Sequence, residues 1–273
     1  MALTDKLTNI ADAIRGKTGG TEEMTLDQMA EAIAGIETGG GSGGELDALV
    51  DRSITEFSGN ITLVGDSAFR NCAELTEVDL PKVATISQNG FYNCKKLTTA
   101  NIPSVTSIGN GAFIQCVALL KADFPLVTKA DGSEHFYGCN KLEEVNTPLL
   151  TSIPSRYLQN CYAIPKVDFP LATSISTYVF YDCRNLSAVI LRSETLCTMA
   201  ATTAFGNCRH FHGTHDPNYN PNSLKDGYIY VPRALIEDYK VATNWSTLAS
   251  QFRALEDYTV DGTVMGELDP NKI

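Results

Sequence analysis

A repeat solenoid of the α/β class is the fold this sequence predicts, and three observations carry the prediction. Cysteines recur at a nearly constant step, other residue types keep fixed offsets from them, and polar and apolar residues alternate over a few positions in every repeat. The cysteines fall at 72, 94, 116, 139, 161, 183 and 208, so the steps are 22, 22, 23, 22, 22 and 25. A period of this size marks stacked coils, each too small to bury its own apolar side and each completed by its neighbours. The expectation is a short curved slab of six to seven 22-residue coils with a parallel sheet, preceded by a helical hairpin and closed by an α/β cap.

Each column has a reason. A Leu or Ile stands three residues after the cysteine: Leu75, Leu97, Leu119, Leu142, Ile164 and Leu186. A small or β-branched residue stands at +6: Val78, Ala100, Ala122, Val145, Val167 and Val189. In most coils positions +6 and +8 are apolar while +5 and +7 are polar, the pattern of a strand with one buried face. Proline at +9 (Pro81, Pro103, Pro125, Pro148, Pro170) cannot donate to a ladder and ends the strand. An aromatic precedes most cysteines by three: Phe69, Phe91, Phe113, Phe136 and Phe180. The cysteine column then reads as a buried stripe of thiols, since side chains stacked in parallel do not converge for a disulfide and a free cysteine behaves as a small hydrophobe. Cys197 lies off the ladder and its state stays open.

The consensus A-F-x-x-C-x-x-L-x-x-V-x-L-P-x-x-x-x-I, seen in "AFRNCAELTEVDLPKVATI" (68–86), keeps register through six copies over about residues 61–196. It resembles the BspA-like leucine-rich repeat. That resemblance implies a recognition scaffold of bacterial surface and secreted proteins, acting by binding or adhesion and without catalysis or cofactor.

Four segments follow along the chain: a helical hairpin over 1–37, a Gly-rich linker over 38–45, the repeats over 46–200, and a degenerate last repeat with its cap over 201–273. In the first, Leu3, Leu7, Ile10 and Ile14 recur at helical spacing, as do Leu26, Met29, Ile33 and Ile36. The two apolar faces are expected to meet each other or another subunit, which makes a homo-oligomer through residues 1–37 one reading and a solubilising extension another. The intervening Gly16-Lys17-Thr18 superficially suggests a phosphate loop, but it follows a helix instead of opening one, so backbone N–H groups are not arrayed for phosphate. The stretch "LTNIADAIRGKTGGTEEMTLDQMAEAIAGI" also resembles a short N-terminal module of phage and prophage tail proteins of Gram-positive gut bacteria. In the cap, "DGYIYVPRALIEDYKVATNWSTLASQFRALEDY" (226–258) reads as a strand, a helix opening after Pro232 with Leu235, Ile236 and Tyr239 inward, and a second helix with Leu248, Phe252 and Leu255 inward. Trp245 reads as cap core.

Composition narrows the function. A net charge of −11 with no basic run argues against nucleic acid. No apolar stretch reaches the roughly 18 residues that span a bilayer. The first residues lack the charged and apolar regions of a secretory signal, though a chain trimmed of its signal would read the same. No catalytic motif such as G-x-S-x-G or H-E-x-x-H is present. His210, His212 and His215 beside Asp216 cluster, but in a loop rich in Asn and Pro with no second ligand pair, so no metal site is expected.

The candidate binding face is the exposed side of the strand: Asp79, Asn101, Asp123, Asn146 and Asp168 at +7, flanked by Glu77, Thr99, Lys121, Glu144 and Lys166 at +5. Amides and carboxylates in this mixture suit a protein or carbohydrate partner on a cell surface. Alternating Asp with Asn also lowers like-charge contact between coils, which a purely solvated face would need as well. Two placements follow: a tail-associated protein of a phage or prophage that contacts its host, or a bacterial cell-surface adhesin-like protein.

Overall fold

A computed structural model describes residues 52–211 and 227–257, together with the backbone of the two-residue strands Thr259–Val260 and Thr263–Val264. The hairpin, the linker and the cluster His212, His215 and Asp216 lie outside the described residues.

The +5 to +7 segments form the predicted parallel strands. They run Glu56–Ser58, Glu77–Asp79, Thr99–Asn101, Lys121–Asp123, Glu144–Asn146, Lys166–Asp168 and Ala188–Ile190. A second column of two-residue parallel strands, not anticipated from the sequence, stands beyond the +9 prolines. It includes Thr85–Ile86, Ser107–Ile108 and Ser152–Ile153. Its inward residues Ile86, Ile108, Ile153 and Ile175 are buried. The core is thus a flattened tube between two narrow sheets, closed on its third side by turns.

Those turns explain the asparagines that precede four of the seven ladder cysteines. Two residues per coil take left-handed backbone: Ser67, Asn89, Gly111, Glu134, Arg156 and Tyr178 at −5, and Asn71, Asn93, Gln115, Gly138, Asn160, Asp182 and Asn207 at −1. Asn and Gly tolerate this conformation best. The geometry aims alternate N–H groups at the next coil, so that Ser67, Phe69 and Asn71 donate to the carbonyls of Gln88, Gly90 and Tyr92 at 2.8–2.9 Å. The turn backbone is thereby paired without a helix. Inside, Phe69, Phe91, Phe113 and Phe136 stack at 5.0–5.4 Å between neighbours. All eight cysteines are buried and none forms a disulfide. From Cys94 onward each ladder thiol donates to a backbone carbonyl of the preceding coil, as Cys94 does to Phe69 O at 3.0 Å and Cys116 to Phe91 O at 3.1 Å.

Both sheets are interrupted around the coil of Cys139, and the first sheet also parts between Thr99–Asn101 and Lys121–Asp123. Thr76, Thr98 and Glu143 each donate an N–H to the preceding coil at 2.7–2.9 Å. Pro165 holds the equivalent place with no N–H to give, and the ladder ends between Glu144–Asn146 and Lys166–Asp168. Pro154 does the same in the second column, where Ser87, Gly109 and Asp131 donate at 2.7–2.9 Å. The core is polar at this place too. His135 and Tyr157 replace small residues, and Tyr157 Oη donates to Thr147 Oγ1 at 3.2 Å.

The cap joins the first sheet directly. Tyr228–Val231 pairs in parallel with Ala188–Ile190, and Phe252–Ala254 pairs in parallel with Tyr228–Val231. The expected second helix is therefore corrected. It is a 3-10 segment, Trp245–Gln251, followed by a strand in which Phe252 and Ala254 point inward with Arg253 between them, a period of two and not 3.6. Helix α1 (Ile236–Val241) supplies buried Tyr239. Trp245 is fully buried as predicted, and its Nε1 donates to Cys197 O at 2.7 Å. Cys197 N–H donates to Tyr239 Oη at 2.8 Å. One residue of the last coil is thus held on both its backbone groups by cap side chains.

Candidate functional site

The first sheet presents the predicted face. Its inward residues Val78, Leu80, Ala122, Phe124, Val167 and Phe169 are buried, so the residues between them must point outward. Pairing in register sets Glu77 beside Thr99 and Asp79 beside Asn101, and Lys121 beside Glu144 and Asp123 beside Asn146. The five +7 residues and the five +5 residues therefore form two parallel files on one surface. In the sixth coil the file ends, because +7 is Ile190, buried in a cluster with Ala188 and Tyr230 of the neighbouring cap strand.

The side chains are fixed to one another. Asn101 Nδ2 donates to Asp79 Oδ1 at 2.6 Å, and Asn146 Nδ2 donates to Asp123 Oδ1 at 2.8 Å. Lys121 Nζ lies 3.0 Å from Glu144 Oε1 and 3.3 Å from Asp123 Oδ2. Hydrogen bonds first to Glu144 and then to Asp123 push the Lys121 ammonium above its ordinary range. Each Asp–Asn bond lies inside one hydrogen-bonded group of strands, and none crosses the interruptions. The alternation of Asp and Asn is thus a set of cross-coil clasps as well as a way to limit repulsion. Each clasp orders two side chains in advance of any ligand.

Two features escaped the sequence reading. Arg192 grips Asp168, with Nη2 2.7 Å from Oδ2 and Nε 3.1 Å from Oδ1. It occupies the +9 place where earlier coils carry proline, and that departure was its signal. At the other end a concavity of about 210 Å³ is lined by Glu56, Phe57, Ser58, Glu77 and Asp79. Glu56 pairs with Glu77, a step of 21 residues, so counting back by 22 misses it. Among the described residues no group of His, Cys, Asp and Glu side chains could hold a metal ion.

A family profile for the BspA type leucine rich repeat region matches residues 52–164 and 123–220 in six copies, more than half of the chain. The chain belongs to this BspA-type leucine-rich repeat family. Among solved structures, the leucine-rich repeat protein TpLRR of T. pallidum is similar at 24% identity, over 57% of this chain and 70% of that one, with a TM-score of 0.48. A leucine rich cell surface protein from Faecalibacterium prausnitzii A2-165 is similar at 21% identity, over 57% and 59%, with a TM-score of 0.39. A leucine-rich repeat protein from Bacteroides ovatus follows at 17% identity, over 70% and 57%, with a TM-score of 0.38. The chain spans less than two thirds of the length of the last two. No curated protein sequence matches it. In this BspA-type chain burial raises the Cys94, Cys116, Cys139 and Cys183 thiols above their ordinary range, and pushes Cys197 up to about 12. No described helix is long and apolar enough to cross a membrane.

Proposed function

We propose that this protein recognises a cell-surface protein or glycan through the outer face of its first sheet, without catalysis and without a cofactor. The carrying observation is the ordered file Asp79–Asn101 and Asp123–Asn146, two pairs clasped at +7, continued by Asp168 held by Arg192 from +9, on the outward face of the first sheet. Pre-ordered amides and carboxylates bind with less entropy to lose than free side chains. The bacterial cell surface is the placement we favour, as for the Faecalibacterium relative described as a leucine rich cell surface protein.

The test is binding of the labelled full chain to Gram-positive gut bacteria and to their purified wall glycans. A variant carrying Asp79→Ala, Asp123→Ala and Asp168→Ala serves as control. Saturable binding lost in the variant supports recognition by this face, and binding retained in the variant places recognition elsewhere. No binding to cells or glycans would leave a structural role within a larger assembly.

A second reading, a tail-associated phage or prophage protein, draws on the resemblance of residues 3–36 to tail-protein modules. Light scattering with and without residues 1–44 tests it, together with the identity of neighbouring genes. A monomer in both forms, beside secretion genes, would count against it.

A further inference from the structure

Three leucines stand exposed where the consensus asks for no apolar residue. Leu126, Leu149 and Leu171, 47%, 36% and 47% accessible, occupy the same position, +10, on three successive coils. Each follows a half-buried proline, Pro125, Pro148 or Pro170. In the first two coils the same position carries Lys82 and Ser104, so the stripe has a polar end and is not a by-product of the repeat. Stacked coils space equivalent positions by about 4.8 Å. The three leucines therefore make one ridge about 10 Å long. It lies just beyond the end of the strands that carry Asp123, Asn146 and Asp168.

We propose that this ridge is the docking site for the chain's own residues 25–36, through the apolar row Leu26, Met29, Ile33 and Ile36. Side chains three and four apart on a helix stand about 5–6 Å from one another, a spacing that meshes with a ridge repeating near 4.8 Å. The tether fits as well. Sixteen residue steps separate Ile36 from Arg52, in a Gly-rich stretch. Such a chain has an r.m.s. reach of about 22 Å. The centre of the ridge lies four coils from the first described strand, about 19 Å away. A tether whose reach matches its span gives the highest effective concentration, in the millimolar range, so a weak contact suffices. A second copy of the chain is a poorer occupant. A stable dimer needs about 800 Å² per partner, far beyond what three partly exposed leucines supply, and two chains of net charge −11 repel. The inference does not rest on the strand face binding a ligand.

Hydrogen exchange on the full chain tests it, reading the amides of residues 29–36 in three proteins. The native chain should show protection at least tenfold above the unstructured rate. The variant Leu126→Ser/Leu149→Ser/Leu171→Ser should lose that protection and keep its repeat amides protected, since the leucines are at the surface. The variant Ile10→Ser/Ile14→Ser should retain it. Unprotected amides in the native chain would overturn the proposal. So would protection that survives the leucine variant, and so would protection lost only in the Ile10/Ile14 variant, which would mean the two N-terminal segments cover each other. Protection that grows with protein concentration would point to a second copy and also overturn it.

Discussion

The coils around Cys94 and Cys116 and the coils around Cys139 and Cys161 share one consensus but are held together differently. In the first pair the phenylalanines stack nearly parallel, at 5.2 Å and 13°, and the residues before Phe91 and Phe113 are Gly90 and Ala112. In the second pair His135 and Tyr157 fill the small-residue column, Phe136 meets Tyr157 edge-on at 90°, and prolines end both ladders. Repetition lets a coil be stabilised twice, by ladder and by core. Around Tyr157 prolines cut both columns and the core contact is polar, Tyr157 to Thr147, whereas between the coils of Cys94 and Cys116 only the first ladder parts and the core remains a phenylalanine stack. The difference teaches that the solenoid's weak plane is written in departures from the consensus.

The largest expected effect lies in the regular region. Phe91→Ala, fully buried and stacked on both sides, should cost about 3–5 kcal/mol. A drop in the urea midpoint at constant slope would measure it, and a loss under about 1 kcal/mol would show that neighbouring coils relax into the gap.

Next is the acid response of the second region. Burial pulls His135 down to about 4, against the opposing pull of the Asp131 and Ile108 carbonyls. Unfolded histidine titrates near 6.5. The native state therefore binds fewer protons, and the stability is complete above pH 6.5 and lost as pH falls from 6.5 towards 4. The shift corresponds to about 3 kcal/mol. Urea midpoints at pH 7 and 4.5, compared with His135→Gln, isolate it from the carboxylates. Equal pH losses in both proteins would remove His135 from the account.

A smaller effect is expected at Gly111, whose φ is +64° and where an added Cβ would approach Asn89 Oδ1 at 2.7 Å. Gly111→Ala should cost about 1–2 kcal/mol, whereas Asn89→Gly in the equivalent turn should be close to neutral. Thermal denaturation of both variants decides whether the left-handed column carries a conformational load.

The smallest effect sharpens the comparison. Tyr157→Phe leaves Thr147 Oγ1 without its donor and should cost about 1 kcal/mol. If Tyr157→Phe instead stabilises the protein, the polar contact is a burden of the weak plane and not its support.

Much of this was legible in the sequence because the period is rigid. Columns at −3, +3, +6 and +9 sit where their spacing puts them, and the outward file Asp79 to Asp168 followed directly. The second strand column was not legible because two residues such as Ser107–Ile108 show no alternation to read. Asn71, Asn93 and Asn160 carried the signal for left-handed turns, yet the signal lies in backbone tolerance and not in hydrophobic pattern. Phe252 was misread because Leu248, Phe252 and Leu255 fit a helical face as well as a 3-10 segment running into a strand. At the site, Arg192 and the Glu56–Ser58 edge lie at breaks in register, where offsets counted from cysteine lose their meaning.

The cysteine ladder has a practical consequence. Each coil from Cys72 to Cys208 holds one ladder thiol sealed from water. A thiol so enclosed can be alkylated only while its coil is open. The protein therefore carries a built-in stopwatch in every turn, and the order in which the seven ladder sites take up label would map breathing along the tube, coil by coil, with no residue introduced.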